Sequence, residues 1–266
     1  MTPWITLIVW IFPNLGQWGR TAHMEGAGNA AALLASGAEA LYGNPAQLLS
    51  GTGLSWIQGY RMPYALPEFY QVYSGISWAT VRHGIGVGIW TQGLPSLYRE
   101  THLLVDLAHR FQSWVLAFRP RLFWLQVSDP NVATVSATAW LVDWGVTWTS
   151  GAFQIGFHQE NAAHGQLRVI EVTEDLPSTW EIAVRYERPI GVSWMAAIGP
   201  GGKGRIGVES WFTSGFAVRL GVDERNLTIG MGLRSGRWEW DFSGENHRDL
   251  GTTYGVALQY RPARFP

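Results

Sequence analysis

The chain has 266 residues, a formal net charge of −1 and only 15% charged residues, which excludes the basic footprint that nucleic-acid binding needs. It contains no Cys, so disulfides and thiol chemistry are excluded as well. With 16 Trp and 32 Gly it is unlike a soluble domain, whereas a β-barrel in lipid places aromatic residues in belts at both interfaces.

Residues 4–12, WITLIVWIF, form the one long unbroken apolar run. A membrane-spanning helix needs about 20 apolar residues, so this run is too short to span. Its position suits the apolar part of a secretory signal peptide over 1–16, with cleavage near Gly16 and Gln17. No Lys or Arg precedes the run and no Ala-x-Ala site lies near the expected cleavage point; a first buried strand is the alternative.

Residues 26–51 read GAGNAAALLASGAEALYGNPAQLLSG, rich in small residues and uncharged apart from Glu39. The Ala/Leu-rich part over 29–35 favours one or two helical turns. Asn44 followed by Pro45 predicts a helix start, because Asn caps free backbone N–H groups and Pro fits the first helical position. A small helical segment over 17–52, packed against a β domain over 53–266, is therefore expected.

From Gly53 onward the hydrophobic period is two. In 140–148, Trp140, Val142, Trp144, Val146 and Trp148 share one face, opposite Leu141, Asp143, Gly145 and Thr147. In 84–90, Ile85, Val87 and Ile89 face away from Gly84, Gly86 and Gly88. Strands are predicted at 54–62, 69–81, 84–92, 99–110, 115–127, 134–149, 152–159, 178–187, 190–199, 204–212, 215–222, 226–234, 237–244 and 251–262. Large apolar side chains hold one face throughout, and small or charged ones hold the other. Lys203 is the only Lys in the chain, which is unusual for a face in water and fits the interior of a membrane barrel. Tight links alternate with mostly longer ones such as 160–177, as periplasmic turns alternate with external loops. An all-β transmembrane antiparallel barrel of about 14 strands follows, with 12 as the other count, and its place is the bacterial outer membrane.

The N-terminal segment also carries a resemblance. Gly26-Ala27-Gly28, followed by Ala38-Glu39-Ala40-Leu41-Tyr42-Gly43-Asn44-Pro45-Ala46, resembles the Gly/Ala-rich start and Asn-Pro-Ala motif of the FadL/PorV superfamily of outer-membrane barrels. Asp143-Trp144-Gly145, Arg205-Ile206-Gly207-Val208-Glu209 and Val218-Arg219-Leu220-Gly221-Val222 are similar to segments of its PorV/PorQ branch. The resemblance implies a 14-stranded barrel with an N-terminal hatch inside the lumen, its motif at Gly26, Gly28, Asn44, Pro45 and Ala46. It departs from the family in its short length, in lacking large external insertions, and in ending Arg264-Phe265-Pro266 rather than on an aromatic residue.

The charges expected to face the lumen are Asp106, Asp143, Glu181, Arg185, Glu209, Arg219, Glu239 and Asp241. They could form a salt-bridge network that fills the lumen and holds the hatch, or they could line a polar conduit; Glu209 and Arg219 could pair across neighbouring strands. The seven His residues lack metal-ligand spacing, no nucleophile motif is recognisable, and residues 199–203 depart from a phosphate-loop pattern. Neither enzymatic activity nor a cofactor is expected. The PorV/PorQ resemblance implies docking of exported proteins or of components of a type IX-like secretion apparatus. The alternative is FadL-like passage of a hydrophobic small molecule, with the hatch as gate and a lateral exit where glycines over 84–88 could bend the wall. Lipid of the outer membrane is the expected partner in either case.

Overall fold

Alternation along each segment turns one face outward and the other inward, and the strands close on themselves. The computed structural model describes residues 19–129, 132–169, 172–213, 215–224 and 226–261; the expected signal peptide and Arg264-Phe265-Pro266 lie outside them. In chain order the strands are β1 (Gly53–Met62), β2 (Tyr70–Ala79), β3 (His83–Leu94), β4 (Tyr98–Phe111), β5 (Trp114–Asp129), β6 (Val132–Ser150), β7 (Phe153–Glu160), β8 (Gln166–Val169), β9 (Val172–Asp175), β10 (Thr179–Arg188), β11 (Val192–Ile198), β12 (Gly204–Thr213), β13 (Phe216–Asp223), β14 (Asn226–Ser235), β15 (Trp238–His247) and β16 (Gly251–Tyr260). All but β8 and β9 form a closed antiparallel barrel of 14 strands. Closure is made by β1 on β16, from Trp56 opposite Tyr260 to Met62 opposite Tyr254.

The exterior is apolar. Ile85, Val87, Ile89, Leu107, Leu116, Phe118, Trp140 and Trp240 are among many large side chains exposed on the outer wall, while the residues between them are buried. In water such a surface would aggregate, and a closed barrel is one of the two backbone structures that leave no unsatisfied peptide group in lipid. Aromatic pairs mark the level of one interface: Trp114 with Trp148, and Trp238 with Tyr260, have ring centroids 6.3 and 5.2 Å apart. The protein is a bacterial outer-membrane barrel. The end that carries the long connection between β7 and β10 is external, and the end with the tight turns at 80–82, 112–113 and 151–152 is periplasmic.

Residues 160–177, expected as a plain loop, contain the β8–β9 hairpin. Leu167 and Leu176 from this segment cluster with the inward-facing Phe123, Leu125, Ala137, Ala139 and Leu141 of β5 and β6. These two strands are the longest, at 16 and 19 residues, more than the roughly 9–11 residues that cross a bilayer. Their extra length gives the hairpin an apolar wall to cover.

The N-terminal segment occupies the lumen. It consists of α1 (Ala22–Gly26), α2 (Ala31–Leu34) and two 3-10 turns, Gly37–Tyr42 and Pro45–Ser50. Thr21 caps α1 by accepting a hydrogen bond from the Met24 N–H, and Asn44 caps the second 3-10 turn by accepting from the Ala46 N–H. The expected helix after Asn44 is thus a six-residue 3-10 turn, a length at which an α-helix is marginal on its own. Leu33, Leu41 and Leu48 are wholly buried.

Candidate functional site

Glycines on the inner wall are the sockets of the hatch. A Cβ on Gly84 would meet Leu48 and Leu49, on Gly86 Leu41 and Leu48, and on Gly156 Leu33. On the opposite wall, Gly207, Gly221 and Gly230 lie against the backbone of Ala27, Gly28 and Gly26. Backbone against backbone leaves no room for water, so the middle of the lumen is packed like a protein core. Gly84, Gly86 and Gly88 do not open the wall: β3 is paired without interruption to both β2 and β4. The lateral exit expected at 84–88 is therefore not found there, because the space left by the missing side chains is filled by hatch leucines.

Charge fixes what shape packing positions. Arg219 is wholly buried, 2.7 Å from Glu209, 2.7 Å from Asp241 and 3.6 Å from Glu239. His23 of α1 sits between Glu39 of the hatch and Glu209 of the wall, 2.9 Å from each. Burial alone would depress the His23 pKa. The two carboxylates outweigh both burial and the opposing Arg219, and raise it to about 9, so the imidazolium is an ionic bolt between hatch and barrel. Arg261 joins the same group at 3.4 Å from Glu39.

Two further groups repeat the pattern. Arg119 binds Asp106 through Nε and Nη2, at 2.6 and 2.9 Å, and its Nη2 also donates to the Ala40 carbonyl of the hatch. Arg121 lies 3.0 Å from Asp143. Toward the external side, Arg20 pairs with Asp223, Arg61 with Glu25, and Arg205 with both Asp223 and Glu181. The Glu181 carboxylate accepts from the Ala32 N–H. Buried charges are tolerable only when paired and hydrogen-bonded, and here many of the pairs run from hatch to wall.

Of the charges expected in the lumen, Asp106, Asp143, Glu181, Glu209, Arg219, Glu239 and Asp241 are all buried within these groups. Arg185 stands apart, paired with Glu187 at 3.0 Å near the periplasmic rim. Gly26, Gly28 and Asn44 of the hatch motif each touch the wall, Asn44 donating to the carbonyls of Ala32 and Phe157. The sequence reading did not single out Arg20, His23, Glu25, Arg61, Arg119, Arg121, Asp223 or Arg261. Those on strands occupy the small-or-charged face of the two-residue period, and that signal would have found them.

Two parts of the interior remain distinct from this packed middle. At the periplasmic end a cavity of about 640 Å³ lies between hatch and wall, lined by His23, Glu209, Arg234, Glu239, Arg261 and Trp211 among others; the Arg234 guanidinium lies 4.1 Å from the Trp211 ring centroid. Toward the external end, Tyr98, Phe123, Leu125 and Leu141 of β4 to β6 form a buried apolar cluster with Leu167 and Leu176, while Trp90 and Leu104 pack with Leu41 and Tyr42 of the hatch; Glu100, His102 and Arg121 are buried on the same inner face. Just below Leu104 the wall itself changes. Pairing of β4 with β5 stops after Leu104 opposite Arg121 and resumes in the same register at Leu107 opposite Phe118. The unpaired step contains Pro120, which has no N–H to give the ladder. Among the described residues, no other barrel ladder has an in-register gap of this kind.

The sequence matches no family model and no curated protein. Solved structures do match in fold. The CymD monoaromatic hydrocarbon channel superimposes with a TM-score of 0.70 at 11% identity, covering 95% of this chain and 99% of that one. The Pseudomonas putida toluene transporter TodX gives 0.64 at 10% identity, over 91% and 96%. A Pseudomonas aeruginosa FadL homologue gives 0.61 at 9%, over 91% and 98%. At these identities the likeness establishes the fold.

Proposed function

We propose that this barrel passes hydrophobic small molecules across the outer membrane without catalysing a reaction. The observation that carries the reading is the apolar cluster of Tyr98, Phe123, Leu125 and Leu141 inside the external end, beside a β4–β5 ladder that is interrupted at Pro120. Water-filled porins have polar interiors, whereas the interior here is packed and apolar in this region. The packed hatch closes the straight axial route, so the route that best fits is sideways, between β4 and β5, into the lipid. The likeness to a hydrocarbon channel and a toluene transporter supports the same class of cargo. The secretion-docking role implied by the PorV/PorQ resemblance is favoured by none of the features described above.

The test is uptake. With the protein in the outer membrane of a host lacking its own hydrophobic channels, radiolabelled toluene should enter several-fold faster than in the empty host. A labelled sugar should enter no faster. Equal toluene uptake with and without the barrel would refute the reading.

A further inference from the structure

The outer wall carries a groove that begins where the pairing of β4 with β5 resumes after Pro120. It lies on the periplasmic half of β3 to β6, has a volume of about 540 Å³, and is lined by Leu107, Leu116, Phe118 and Trp144. Strand register explains it. His83, His109 and Leu116 lie in one cross-strand row, and Leu107, Phe118 and Trp144 in the next. The backbone at Gly84, Ala108, Ala117 and Gly145 forms the floor between these rows.

The periplasmic end of the groove is polar and basic. His83 and His109 face each other across the ladder with their Nδ1 atoms 3.0 Å apart, and Arg82 is in the adjoining turn. Residues 80–85, 107–118 and 144–150 contain no Asp or Glu. One Nδ1–H must donate to the other Nδ1, so the accepting ring carries its own proton on Nε2. That N–H is available as a donor. Trp114 and Trp148 lie alongside, at the level where belt aromatics meet headgroups.

We infer that this groove binds one glycerophospholipid of the periplasmic leaflet, with an acyl chain along Leu107, Leu116 and Phe118 and the phosphate against His83 and His109. An apolar trough opening onto an acid-free rim that carries Arg82 and an imidazole N–H donor at headgroup depth matches that ligand's two chemistries in the right order. A neutral lipid satisfies the trough and leaves the histidines unused; a free phosphate does the reverse.

The full barrel, purified in detergent and exposed to equal amounts of phosphatidylglycerol and diacylglycerol with the same acyl chains, tests this by native mass spectrometry. Phosphatidylglycerol should be retained with roughly tenfold preference, the scale of a hydrogen bond to a charged group. The His83→Ala/His109→Ala double variant should fall to parity while keeping heat-modifiable migration. Leu116→Trp, which fills the trough, should lower retention of both lipids. Parity in the unaltered protein, preference that survives loss of both histidines, or full displacement by inorganic phosphate would each overturn the assignment.

Discussion

Asn44 Oδ1 in the hatch takes up the space that a Cβ on Gly145 of β6 would need. The same side chain accepts from the Ala46 N–H at 3.0 Å and donates to two strand or hatch carbonyls, so it cannot move without losing several bonds. Gly145→Ala should therefore push the hatch off the wall rather than perturb the strand, at a cost of about 1–3 kcal/mol. Limited proteolysis from the periplasmic side should cut within 26–51 in the variant, with the barrel still folded by heat-modifiable migration. Unchanged protection would show that the Asn44 contact does not hold the hatch.

His23 supplies a pH dependence. Its ordinary pKa is about 6.5 and its folded value is raised to about 9. A group raised on folding stabilises fully below its unfolded pKa and stops doing so as pH climbs through its folded pKa. The hatch should thus be held most firmly below about pH 6.5 and loosen toward and beyond pH 9. His23→Gln should remove this slope between those limits, read as the melting midpoint against pH. A slope of the same size in the variant would place the titrating group elsewhere.

The barrel was legible because period two, the alternating connections and the Trp belts are local signals that survive in one sequence. The hatch was legible in part: Asn44 and Pro45 announce a turn wherever they occur. What they touch was not, because the Asn44 partners lie more than a hundred residues away on β6 and β7. The ion groups show the same division. Glu209 and Arg219 sit in adjacent strands, and their pairing follows from register. His23 bridging to Glu209 depends on how a loose segment folds inside a closed lumen, which no sequence period encodes. The glycines over 84–88 misled for a related reason: Gly in a strand signals either a bend or a close neighbour, and only the position of Leu41 and Leu48 decides between them.

Arg219 should be the most sensitive position in the lumen. It balances Glu209, Glu239 and Asp241, and Arg219→Met would strip Asp241 of its cation while leaving Glu209 to His23 and Glu239 to Arg234 and Arg261. Loss of one partner from a buried pair costs about 3–5 kcal/mol, so the variant should fold poorly or melt far below the parent. Asp241→Asn in the same background should restore part of the loss, since it removes the charge left unbalanced. If Arg219→Met melts like the parent, the cluster contributes little to holding the barrel.

Pro120 offers the sharpest test of the exit route. Pro120→Val adds the N–H that the β4–β5 ladder lacks, at a residue whose neighbours on both sides of the gap are already in register. Completing the ladder closes the one in-register gap seen among the described strands and should make the barrel slightly harder to melt. If solutes leave sideways, toluene uptake should fall several-fold although the external apolar cluster is untouched. If they leave along the axis past the hatch, Pro120→Val should leave uptake unchanged, and Gly145→Ala should raise it. The two variants thus separate the routes: the wall substitution acts on one, the hatch substitution on the other, and neither touches the patch where an apolar solute would first bind.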